Sequence, residues 1–293
     1  METIAATAIN GILLGGLYAC VGMGFALTWG ILNVVNLAHG VMVILGAYVT
    51  FVLYKGFGVD PLLTIPVSMA VLFAFGYGLQ RWVINLIVRA PVFMTLILTF
   101  GLEMLIINAL LFGASADFRA APPSYAAAVI RLGPFIVPVL RLTIFAVALL
   151  LTALLFLFMY RTRRGNAILA TGQDKEAAEL VGVDIAKTYA MCFGIASAFA
   201  GAAGSLIASL YAFSPVLGGP YTLKAFLITV VGGLGSMAGP IVGGLVLGLA
   251  ETGGSLAFGE TWVEVVSYGL LVLILIVRPE GILGKKYFAE VRN

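Results

Sequence analysis

The chain has 293 residues, 62% of them hydrophobic and only 10% charged, against about 25% charged in an average soluble domain. Residues 3–54 carry no charge, and neither do 142–160, 188–223 or 225–250. A hydrocarbon layer ~30 Å thick is crossed by about 20 apolar helical residues, so the composition excludes a soluble or disordered chain and gives an all-α, polytopic membrane protein.

In chain order, apolar helices are expected near 4–28, 41–55, 61–80, 93–113, 141–160, 188–211 and 262–278. The run 222–252 is interrupted by "GGLGSMAGP" (232–240). It is either two short spans or a re-entrant hairpin, which makes roughly 8–9 transmembrane segments, some of them broken. All lie in one transmembrane domain over 1–293. The start carries Glu2 and no basic n-region, so it reads as a retained helix rather than a cleaved signal.

The first interruption is "GILNVVNLAHG" (30–40), which carries Asn33, Asn36 and His39. Spaced by three, these would share one broad face of a helix. Polar side chains at membrane depth are costly and face a cavity or each other. They either line a translocation path or cap the break before Gly40. The second interruption holds Gly232, Gly233, Gly235 and Ser236. Irregular backbone at this depth is tolerated where protein buries it or where it lines a water-filled cavity, so both breaks point to a transport route. Two such breaks also hint at an internal repeat.

Glu103 and Glu251 are the acids nearest membrane depth. Neither has an evident relay partner, and a structural or interfacial role is the expectation for each. Cys20 and Cys192 lie in separate apolar runs and read as buried hydrophobes, not as a disulfide or a metal site. His39 is the single histidine, which rules out a multi-histidine metal centre within the chain. No feature calls for a cofactor or a nucleic acid.

In the helix over 188–211, Ala196, Ala200, Gly204 and Ala208 form one row of small residues, and Ser197, Gly201 and Ser205 the next. Such rows let helices approach closely in lipid, here within the chain. The pairs Gly239/Gly243 and Gly244/Gly248 read the same way. The stretch 115–134, with Pro122 and Pro123, is a loop rather than a helix, within a polar connection over 114–140.

Nine of the 29 charged residues fall between Arg161 and Lys187. Placing this island and the C-terminal tail in the cytoplasm puts 11 of the 16 basic residues on that side, among them Arg89, Lys285, Lys286 and Arg292. That agrees with the positive-inside rule and makes 114–140 extracytoplasmic. Within the island, "DKEAAELVG" (174–182) encodes a short helix whose Ala177, Ala178 and Leu180 sit among charges, with Gly182 where the helix ends. Glu176 and Glu179 form its rim. A helix of this kind fits a groove on a partner protein; the alternative is a solvated loop that serves only the positive-inside rule, though a bare loop does not need this Ala-Ala-x-Leu-x-Gly core.

"RRGNAILATGQDKEAAELVGV" (163–183) resembles the cytoplasmic coupling segment of ABC importer permeases of the branched-chain amino-acid type. Three further stretches match in order: "NLAHGVMVILGAYV" (36–49), "LKAFLITVVGGLGSMAGPIVGGLVLGLAE" (223–251) and "RPEGILG" (278–284). The "NLAHG" version resembles the LivH-type subunit. The resemblance implies a pore-forming inner-membrane subunit. Its partners would be a second permease, two cytoplasmic ATPases and an extracytoplasmic solute-binding protein, with 161–187 docking on the ATPases. Asn166 stands where relatives usually carry arginine, and Glu103 where they carry a small polar residue. The chain has no G-x-x-x-x-G-K-[ST] loop, so it cannot cradle ATP phosphates in the P-loop manner. Two other classes fit less well. A self-sufficient facilitator or secondary transporter is possible from composition, and a membrane enzyme would need a nucleophile, base or metal set that the chain lacks.

Overall fold

The computed structural model describes residues 2–87, 92–133 and 135–284; Arg89, Lys285, Lys286 and Arg292 of the charge argument lie outside them. Eleven α-helices follow one another: α1 (Glu2–Leu32), α2 (His39–Phe57), α3 (Ile65–Trp82), α4 (Val92–Ala114), α5 (Val139–Arg161), α6 (Arg163–Gln173), α7 (Lys175–Leu180), α8 (Ile185–Leu210), α9 (Gly218–Gly232), α10 (Gly239–Phe258) and α11 (Val263–Val277). Nine segments among the described residues are long and apolar enough to cross a membrane. The protein is an all-α polytopic membrane protein.

Length and apolarity set these elements. At ~1.5 Å per residue α1 is about 46 Å long and over-spans the hydrocarbon, whereas α9 is about 22 Å and falls short of it. The second interruption separates two helices, α9 and α10, which pack on one another. A 3-10 turn at Pro215–Leu217 extends α9, and Pro215–Gly232 together reach spanning length.

The helix α8 is the hub, buried along nearly its whole length from Tyr189 to Ser209. Its small-residue rows meet α2 and α3 inside the chain. A side chain on Gly204 would run into the backbone of Val43 and Ala47, and Gly46 lies against Gly201. Polar links cross the same seam: Thr50 Oγ1 donates to Ser205 Oγ at 2.7 Å, and Ser68 Oγ to the Gly201 carbonyl at 2.9 Å. Apolar burial gives little drive for association in lipid, so close backbone approach and such hydrogen bonds hold the seam. Gly244 and Gly248 of α10 pack likewise on Gly15 and Gly11 of α1.

This pairing reveals the repeat that the breaks hint at. The helix α1 packs on α10 as α8 packs on α3, and the short helices α2 and α9 each follow a break after the long one. The second triplet runs opposite to the first. The short helices start side by side, where Gly40 N–H donates to Thr222 Oγ1 at 2.8 Å and Thr222 Oγ1 donates to the Leu37 carbonyl at 2.8 Å.

The connection 115–134 is not plain loop. Arg119 bridges to Phe213, and Val129–Leu132 pairs antiparallel with Phe135–Pro138 in a small hairpin. The alternation there is too short to register as strand in a chain dominated by apolar runs. At the periphery, α4 and α11 leave large apolar side chains uncovered, such as Phe112 at 97% and Ile276 at 77%, as a lipid-facing or partner-facing surface requires.

Candidate functional site

The charged island folds as two helices strapped across one end of the bundle. Thr162 caps α6 by accepting from Gly165 N–H at 3.0 Å, and Gly165 lets α6 fold back tightly on Phe158 and Met159 of α5. Asp174 Oδ1 caps α7, accepting from the amides of Glu176 and Ala177 at 2.9 and 3.0 Å. Gly182 ends α7 with φ +87°, a backbone shape that a side chain resists. Asp184 then caps α8, accepting from Lys187 N–H at 3.0 Å, and forms an ion pair with its ammonium at 2.8 Å. Those contacts with Lys187 hold its carboxyl below the usual aspartate range.

Successive caps make this segment a fixed platform. Glu176, Ala177, Glu179, Leu180 and Gly182 are exposed, whereas Ala178 is buried beneath them at 3%. The tip carries two bare apolar side chains, Leu180 at 89% and Val181 at 80%. Val181 was not singled out from sequence; a valine among charges gives no signal until the helix end is placed. The helix α6 was also not anticipated, because its polarity masks an amphipathic pattern with Ile168 and Thr171 turned inward.

The first break begins at Asn33 rather than at residue 30, since α1 runs on to Leu32. Asn33 takes φ +52°, so Asn33 and Asn36 lie in irregular backbone and do not share a helical face with His39, which opens α2. Asn33 is exposed. Asn36 is buried, and its Oδ1 has no hydrogen-bond partner. His39 is buried with Nε2 2.9 Å from the Val21 carbonyl and its ring edge-on to Phe25.

The second break turns at the same end of the bundle as the charged platform. Ile282 and Leu283 of the tail donate their amides to the Val231 and Gly232 carbonyls, both at 2.9 Å, satisfying groups that the end of α9 leaves open. Gly235 and Ser236 line a cavity of about 330 Å³ with Leu27, Tyr160 and Gln173. Gly232 and Gly233 pack instead against Gly239 and Gly284.

Glu251 is not at an interfacial helix end. It is 4% exposed and forms an ion pair with Lys224 of α9 at 3.1 Å. Tyr18 of α1 donates to its Oε2, and Ser267 of α11 to its Oε1 at 2.8 Å. Lys224 Nζ also donates to Tyr18 Oη at 2.9 Å. The pair is invisible in sequence because its members stand 27 residues apart on different helices. Glu103 is buried, with Oε1 3.9 Å from where a Cβ of Gly219 would stand. That places a carboxylate at the first turn of α9, a favourable position for negative charge.

Among the described residues no group of three or more His, Cys, Asp or Glu could hold a metal ion. Cys20 and Cys192 are free and buried.

Residues 7–275 match the family model described as "Branched-chain amino acid transport system / permease component". The chain belongs to this family. Among curated proteins it is 30% identical to the high-affinity branched-chain amino acid transport system permease protein BraD of Pseudomonas aeruginosa, over 97% of this chain and 96% of that protein. It is 30% identical to LivH of Escherichia coli, with 96% of each chain covered. It is 28% identical to a probable branched-chain amino acid transport permease, LivH, of Methanocaldococcus jannaschii, covering 93% and 90%. No solved structure matches.

Proposed function

We propose that the chain is the pore-forming permease subunit of an ATP-driven importer for branched-chain amino acids or similar small solutes, set in the bacterial or archaeal inner membrane. It has no catalytic site of its own. Two separate cytoplasmic ATPase subunits, a second permease subunit and an extracytoplasmic solute-binding protein complete the machine. The observation that carries this reading is the capped platform of α6 and α7, with Leu180 and Val181 bare at its tip. Exposed apolar side chains within a charged rim mark a protein-docking surface. The platform then faces the cytoplasm and the hairpin over 129–138 faces outward.

Glu176, Ala177, Glu179, Leu180 and Gly182 form the ATPase-coupling interface, with Ala178 as the packing beneath it. Asn33, Asn36, His39, Gly232, Gly233, Gly235 and Ser236 belong to the translocation path, in which the two short helices hinge at their breaks. The unpartnered Asn36 Oδ1 and the cavity beside Gly235 and Ser236 support that assignment. Motion of the platform is passed to α5 through Gly165 and to α8 through Asp184.

The experiment is gentle solubilisation of the tagged chain, with identification of what co-purifies. A P-loop ATPase and a second permease are expected. A chain that stays alone even after cross-linking in intact membranes would favour a passive facilitator.

A further inference from the structure

A cavity of about 450 Å³ opens toward the outer end of the bundle, between α1, the end of α8, α9, α10 and the start of α11. Its base is the Lys224–Glu251 pair with Tyr18, and its walls include Leu17, Ile207 and Val263 together with the exposed Glu260 and Glu264. The Lys224 side chain is 27% exposed and that of Glu251 5%, so the ammonium faces the space and the carboxylate is held behind it.

We propose that this cavity is the permease's own binding site for a zwitterionic amino acid with a small aliphatic side chain. Lys224 takes the solute carboxylate and Glu251 its ammonium. This rests on the amino-acid reading of the importer and deepens it.

Three observations carry the assignment. First, the buried base is a matched Lys224–Glu251 pair, with Glu260 and Glu264 exposed on the lining beside it. A solute that carries both a carboxylate and an ammonium meets both members of that pair, whereas an anion or a cation answers only one of them. Second, Ser267 and Tyr18 each donate to Glu251 in addition to Lys224, which itself also donates to Tyr18. Lys224 can therefore swing to a ligand without leaving Glu251 bare. A pair that served only as a strut would need no open cavity above it. Third, the apolar wall stands beside the charged base, as an aliphatic side chain next to an α-amino-acid head group requires, and the volume suits a small ligand.

The site also has a consequence for motion. When empty, the direct pair ties α9 to α10; a bound zwitterion stands between the two charges and loosens that tie. Occupancy is thereby coupled to the short helix α9, whose far end lies under the tail.

The test measures equilibrium binding of radiolabelled L-leucine to the complete transporter in nanodiscs, with 4-methylpentanoate and isopentylamine as competitors lacking the ammonium and the carboxylate. Lys224→Gln should weaken leucine about tenfold or more while changing isopentylamine by less than about twofold; Glu251→Gln should do the same for leucine and spare 4-methylpentanoate. Val263→Phe, which narrows the cavity and leaves the pair, should weaken leucine more than alanine. This third variant keeps the idea testable should the charge variants fail to fold. Equal losses for every ligand would show a structural strut and overturn the site, as would unchanged leucine binding in all three. A wild-type transporter that assembles with its ATPases yet neither binds nor takes up leucine overturns the amino-acid reading itself, and the site with it.

Discussion

Leu180→Ala isolates the docking surface. Leu180 is 89% exposed, so it gives its own chain little, and Ala is a good helix former at the end of α7. The variant should leave fold stability within about 0.5 kcal/mol. Docking that fully buries Leu180 loses three carbons in this variant, at ~0.8 kcal/mol per CH₂, or about 2.4 kcal/mol. That is a factor of about 50 in Kd for the ATPase. The assay titrates purified ATPase subunits onto the permease in nanodiscs and reads both the affinity and the permease-stimulated ATPase rate. Glu179→Gln is the control, because a rim charge is worth less than about 1 kcal/mol. A Leu180→Ala shift below about threefold in Kd would refute burial of this residue on docking. A matching fall in thermal stability would show that it packs within its own chain instead.

The helix seam predicts opposite outcomes for two glycines: Gly204→Val meets the α2 backbone and should destabilise by about 1–3 kcal/mol or more, whereas Gly253→Ala meets nothing within 4 Å and should be neutral or stabilising by up to about 1 kcal/mol. Thermal unfolding in detergent separates them. Asn36→Leu removes a buried amide whose Oδ1 is unpartnered, so it should slow leucine uptake without loosening the complex on a sizing column; dissociation instead would make the residue structural. Asp184→Ala should cost about 1 kcal/mol through loss of the α8 cap. Contacts with Lys187 depress the folded pKa of Asp184, so its contribution is present above the ordinary aspartate value of about 3.9 and is lost as pH falls through the depressed value. The wild-type advantage over the variant in pH-dependent melting should therefore shrink on acidification.

Much of the fold is legible in the sequence because membrane helices announce themselves by length and uncharged runs. The break at residues 33–38 and the turn after Gly232 were readable from Asn, Gly and Pro placed in apolar surroundings. The small-residue rows of α8 read correctly as an internal seam, since their spacing alone defines a face. What stayed hidden depends on contacts between helices distant in sequence. Lys224 looks like a stray charge in an apolar run until α9 is laid beside α10, and Glu251 looks interfacial for the same reason. Ala178 and Leu180 read alike as docking residues, although the fold turns one inward and the other out. A six-residue helix has too few turns for its faces to be told apart without its neighbours. The hairpin over 129–138 was missed because four-residue strands carry almost no pattern.

The most direct measurement is uptake of labelled leucine into proteoliposomes holding the chain with its companion permease and ATPases, with binding protein on the binding-protein-facing side and ATP supplied on the ATPase side. Uptake that requires ATP and stops when the ATPase is omitted is the result predicted. Leucine uptake by the chain alone, driven by a solute or ion gradient and indifferent to ATP, would contradict the account.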